Sequence, residues 1–172
     1  QTDQISVIGL KKSWWKVWQF IWERIVIWKA NKFKKHNLFA VDIANTGTDI
    51  TSLPEFQQAD VIHLHWINQG MLSLTDIRRI IDSGKPIVWT MHDMWPFTGV
   101  CHHAGLCNHF EKECGLCPYL RTPSEKDISY TTFLEKQAAY SLGKIHFVAC
   151  SKWLNELALK SPLTYNHTVS AI

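Results

Sequence analysis

The chain has 172 residues, 46% hydrophobic and 19% charged, enough apolar material for one core and too much for a disordered or collagen-like polymer. No uncharged apolar run approaches the roughly 18 residues of a membrane-spanning helix, and Gln1-Thr2-Asp3 does not open a secretory signal but reads as a trimmed start. Net charge is +3, too mild to argue for nucleic acid, but it is unevenly spread. Residues 1–36 carry eight Lys/Arg against Asp3 and Glu23, and the remainder carries ten basic and thirteen acidic groups.

In chain order, residues 13–30 predict a helix with Ser13 as its cap. Trp14, Trp18, Ile21, Ile25 and Trp28 recur on one face of it. A basic loop follows over residues 31–37, and the alternation of Phe39, Val41 and Ile43 suggests a short strand. Residues 60–66 read as a strand, 74–83 as a helix ended by Gly84, and 86–91 as a second strand, which together make a parallel βαβ unit. Residues 92–124 form a loop of a length that needs a reason. A helix over 127–142, a strand over 144–150, a helix capped by Ser151 and a last strand from Val169 complete an α/β chain with a parallel sheet.

Four of the five cysteines fall in the long loop as Cys101-x5-Cys107-x6-Cys114-x2-Cys117, interleaved with His102, His103 and His109. The Cys-x2-Cys pair presents two thiolates to one tetrahedral ion, and the other two cysteines complete a structural zinc site. The loop reads as too polar to pack by itself, so a metal supplies its order. A site of three cysteines and one histidine, and a pair of disulfides, are the other readings of the same spacing. Cys150 reads as a small buried hydrophobe within a strand.

Ligands of parallel sheets bind beyond the carboxyl ends of the strands, and His65 with Trp66, His92 with Asp93, and Ser151 all fall there. His92 and Asp93 are the catalytic candidates, and His65, Trp66 and Ser151 the substrate-binding ones. Asp93 also suits a turn acceptor, and Ser151 a plain helix cap. His63, deeper in its strand, reads as a hydrogen-bonded core histidine. Neither a nucleophile elbow, a Walker loop nor a GxGxxG turn is present. The Trp/Lys helix suits either a membrane interface or a helix buried within the domain or against a partner. Nucleic acid is disfavoured, because the rest of the chain is net acidic.

The runs ADVIHLHWINQGMLSLTDIRRIIDSGKPIVWTMHDMWPFTGVCHH, CGLCPYL and KIHFVACSKWLNELALKSPL resemble bacterial glycosyltransferases of family 4, of the exopolysaccharide and colanic-acid type. The resemblance covers about residues 55–172. It implies a Rossmann-like parallel sheet flanked by helices, the N-terminal, acceptor-side half of a two-domain GT-B enzyme. It also implies retaining transfer from a nucleotide-sugar to a glycan or lipid-linked acceptor, without a catalytic metal. His92 matches a histidine near the donor sugar, His65 and Asp93 match cleft-edge positions, and Ser151 matches the serine opening the last helix. The family's glutamates eight apart have no counterpart here, so residues 1–172 are expected to be one partial domain, inactive without a donor-binding half. The expected setting is the cytoplasm, with peripheral contact at the inner membrane face. The competing reading is a non-enzymatic, zinc-stabilised module that binds a partner or a membrane through its Trp-rich helix.

Overall fold

The computed structural model describes residues 14–172, so the expected Ser13 cap lies outside the described residues. In order come α1 (Trp14–Ala30), α2 (Pro54–Gln58), β1 (Ile62–Leu64), α3 (Leu74–Asp82), β2 (Ile87–Met91), α4 (Ile128–Tyr140), β3 (Ile145–Ala149), α5 (Lys152–Ala158) and β4 (Thr168–Ala171). The four strands lie in chain order, β1-β2-β3-β4, all parallel, and the expected βαβ unit pairs Ile62 with Ile87 and Leu64 with Trp89. The result is an α/β architecture with a parallel sheet flanked by helices, consistent with a Rossmann-like fold.

Local chemistry explains the elements read correctly. Ser73 and Asp76 form a reciprocal capping box at the start of α3, and Ile77, Ile80 and Ile81 then bury its inner stripe. Asp127 caps α4, and Ser151 caps α5 by accepting the Leu154 N–H at 3.2 Å. The five-residue helix α2 was not anticipated; Pro54 at its first turn is its only strong local signal. The strand expected around Val41 is reduced to a single antiparallel bridge to Cys101.

A sheet that advances strand by strand through right-handed crossovers receives its helices on one face. The burial pattern agrees. Ile62, Leu64, Ile87, Trp89, Met91, Ile145, Phe147 and Ala149 point into the main core with α3, α4 and α5. His63 and His146 are exposed on the other face, bonded to Thr90 Oγ1 and Ser170 Oγ at 2.8 Å each. His63 is therefore not a core histidine: period-two alternation puts it opposite Ile62 and Leu64, on the face the described helices leave open. Cys150 corrects in the same way. The strand ends at Ala149, whose side chain points inward, and the next residue turns out to solvent.

The long loop contains two short 3-10 turns, Trp95–Phe97 and His109–Glu111, and it does pack itself. Met94, Trp95, Phe97, Ala104 and Phe110 enter the main core, while Val100, Cys117 and Leu120 form a second core with Ile27, Val41 and Ile43. Fully buried Lys136 on α4 pins the loop, donating to the carbonyls of Trp95 (2.6 Å) and Thr98 (2.9 Å). Its ammonium lies 3.3 Å from the Trp95 ring centroid, and burial pulls its pKa down to about 7.

Candidate functional site

The carboxyl ends of β1 and β2 bring the strand-end residues together. His65 Nδ1 lies 3.0 Å from His92 Nε2, with the two rings stacked at 5.3 Å. His63 adds a third ring 4.2 Å from His65. Partial desolvation, with the charges of His63 and His92, holds His65 below the usual imidazole range and favours its neutral form. The His65 backbone is fixed from within: the buried Trp89 indole donates to its carbonyl at 3.0 Å.

Asp93 opens the long loop with both carboxylate oxygens engaged. One accepts the Trp95 N–H at 2.9 Å, a turn of the Asx kind, and the other lies 2.7 Å from His102 Nδ1. Trp66 is half exposed, its ring 6.3 Å from His102. His103 stacks on Trp153 of α5 at 5.7 Å, on the same rim. His65, Trp66, His92 and Asp93 thus gather with His102 at one edge, whereas Ser151 acts as the α5 cap. By sequence alone His102 and His103 stand only as companions of the cysteines, and Trp153 carries no motif. The available signal was position: Trp153 follows β3 directly, at the same sheet edge as His92.

When both rings are uncharged, the His65–His92 pair has a property that does not depend on tautomer. One ring donates the shared proton, and each ring keeps one nitrogen for a ligand, so the pair presents one donor and one acceptor. A sugar hydroxyl both donates and accepts, and an aromatic such as Trp66 suits a sugar's apolar face. The rim is open rather than enclosed. A cavity of about 750 Å³ lies elsewhere, between the Cys loop and α4, lined by residues including His109, Glu113, Glu125 and Tyr130.

Cys101, Cys107, Cys114 and Cys117 all line one small cavity, and none is in a disulfide. Gly99 N–H donates to Cys114 Sγ at 3.2 Å. Gly115 has φ +90°, and any Cβ there would strike the Glu125 carbonyl, so the Cys-Gly-Leu-Cys turn depends on glycine. Burial pushes the Cys114 and Cys117 thiols up to about 12 and raises Cys101 as well. The donor chemistry fits a soft, tetrahedral metal. Among the described residues, however, no three His, Cys, Asp or Glu side chains stand grouped so as to hold a metal ion, so filling this cavity requires the thiols to close inward.

No described helix is long and apolar enough to cross a membrane. No family model matches the chain, and no solved structure does. Among curated proteins it is 33% identical over 66 residues to WcaC of Escherichia coli (strain K12), named as a colanic acid biosynthesis glycosyl transferase. The match covers 35% of this chain and 16% of that protein, so the chain meets only a small part of its relative. This partial, distant likeness relates a stretch of the chain to a part of a glycosyltransferase.

Proposed function

We propose that the chain is the acceptor-side part of a retaining glycosyltransferase, which takes a nucleotide-sugar donor and adds its sugar to a glycan or lipid-linked acceptor. One observation carries the reading: the His65–His92 pair and the Asp93–His102 pair converge, with Trp66, at the carboxyl edge of a parallel sheet. In that role His92 and His65 hold sugar hydroxyls. Asp93, with both oxygens occupied, acts as a positioning residue that orients His102. Transfer itself needs a donor-binding half that faces this rim, orients the two sugars and stabilises the departing diphosphate.

The test is to follow the imidazole NMR signals while titrating with methyl glucoside and, separately, UDP-glucose. Shifts confined to His65, His92 and His102, lost in His92→Ala, are expected. No shift at ~10 mM of either probe, within reach of a millimolar Kd, would overturn the reading. We also propose that the four cysteines hold a structural zinc ion, on the strength of four undisulfided soft donors around one cavity. Its expected readout is one zinc per chain, lost in Cys114→Ser.

A further inference from the structure

Helix α1 is inverted relative to an ordinary surface helix. Its inward face carries Glu23, wholly buried, with Arg24 and Ile27, whereas Trp14, Trp18 and Trp22 on the other side are 82%, 62% and 56% exposed. Loose packing does not explain this, because polar bonds lock the inward face. Glu23 Oε1 accepts the N–H groups of Ile43 and Ala44 at 2.8 and 2.7 Å. Arg24 donates to the carbonyls of Leu38 and Val41 and pairs with Glu23 at 3.0 Å. Turning the helix to bury its tryptophans would break every one of these bonds.

The exposed side is an apolar groove of about 640 Å³ lined by Trp14, Trp18 and Trp22, continued by the exposed Ile21, Ile25 and Trp28. Its charge has one sign. Glu23 is the sole carboxylate between residues 14 and 39 and is buried, while Lys29, Lys32, Lys34 and Lys35 are exposed around the end of the helix. A surface this aromatic, with exposed lysines at one end and no exposed carboxylate among residues 14–39, complements an anionic lipid interface. Indole rings settle there at headgroup depth, and lysines meet phosphates. A second copy of the chain complements it poorly, since a twofold pairing of the same patch brings those lysines no exposed carboxylate from residues 14–39 of the partner.

From the inverted face and its uniform charge, we infer that α1 docks the protein in the plane of an anionic membrane surface, lying on the bilayer without crossing it. This docking is independent of the sugar-transfer reading. The experiment is flotation of the full chain with phosphatidylcholine vesicles, with and without one quarter phosphatidylglycerol. Three variants accompany it: a triple one (Trp14→Ser, Trp18→Ser, Trp22→Ser), a lysine-reversed one (Lys29→Glu, Lys32→Glu, Lys34→Glu, Lys35→Glu), and Trp153→Ser as an exposed-tryptophan control. Circular dichroism checks that each is folded. The wild type and the control are expected to float with anionic vesicles, with blue-shifted tryptophan emission. The triple variant should lose at least about tenfold in partitioning, and the lysine-reversed one should lose its preference for anionic lipid. Failure of the wild type to float would overturn the inference. So would flotation unchanged in the triple variant, or a wild-type dimer in light scattering that the triple variant dissolves, which would assign the face to a second copy.

Discussion

Replacing Glu23 by alanine tests whether the polar lock under α1 holds the helix. The substitution strands the buried Ile43 N–H, which Glu23 Oε1 satisfies, whereas the Ala44 N–H keeps its second acceptor, Asp42 Oδ1, at 3.0 Å. A buried donor left unpaired costs about 1–3 kcal/mol, so Glu23→Ala should lose about 1–3 kcal/mol. Against a typical total of about 5–15 kcal/mol, such a loss is easily measured. With a urea slope near 2 kcal/mol/M, the unfolding midpoint should fall by roughly 0.5–1.5 M. Glu23→Gln keeps an oxygen for the two N–H groups and turns an amide donor toward Asp42 while giving up the ion pair of Oε2 with Arg24, so it should lose less than the alanine variant. An alanine variant within ~0.5 kcal/mol of wild type would refute the lock, as would a glutamine variant no better than alanine.

The pH profile gives the same argument a second readout. Burial, then the hydrogen bond and charge of Asp42, push Glu23 from 4.5 up to about 7, against the pull of Arg24. The folded state therefore holds a proton between about pH 4.5 and 7 that the unfolded chain has released. Stability is full below that window and falls as pH rises through it, by up to roughly 3 kcal/mol. Asp42 is held below its ordinary 3.8, so its contribution is present above that value and lost only in stronger acid. Glu23→Gln should flatten the slope between pH 5 and 7 specifically; a slope unchanged in that variant would assign it to other groups.

Two further outcomes follow from the site and its support. In the metal-free protein, thiol titration at pH 8 should find exposed Cys150 fast and buried Cys101 and Cys117, with half-buried Cys114, slow, and five thiols after denaturation; three or fewer would mean disulfides and end the zinc proposal. Trp89→Phe keeps most of the packing on Tyr140 and Phe147 but removes the indole donor to the His65 carbonyl, so it should cost about 1–3 kcal/mol and weaken methyl glucoside binding at the rim; full binding would show that this bond does not position His65.

Elements whose causes lie within a few residues were legible. The capping box and isoleucine stripe of α3, the apolar runs of β2 and β3, and the caps Asp127 and Ser151 all speak locally. The orientation of α1 was not legible. Periodicity shows that a helix has two faces but not which one a protein needs, and the partners of Glu23 lie twenty and twenty-one residues away. The long loop was misjudged for a related reason. Its polar appearance averages over Trp95, Phe97 and Phe110, which enter the core, and the fixing groups Lys136 and Asp42 come from distant segments. At the rim, strand ends located His65 and His92, but their mutual bond required the parallel register of β1 on β2, which no local pattern supplies.

The same lock that turns the tryptophans outward also sets their distance from the rim. Asp42, beneath α1, accepts the Gln69 N–H at 3.0 Å, and Gln19 of α1 reaches the Gly47 carbonyl at 2.5 Å with Gly70 packed against it. At the other end of that short connection, Trp89 holds the His65 carbonyl. The segment from His65 to Gly70 is therefore tied to the sheet at one end and to α1 at the other, and six residues so anchored leave little room for independent movement. A helix seated on lipid then sets the rim at a fixed height above the headgroups. An acceptor sugar carried on a lipid would gain from that geometry through effective concentration, and a sugar free in solution would not. The two proposals thus reinforce each other without depending on each other: docking without sugar binding leaves a membrane-bound module, and sugar binding without docking leaves a rim open to soluble acceptors.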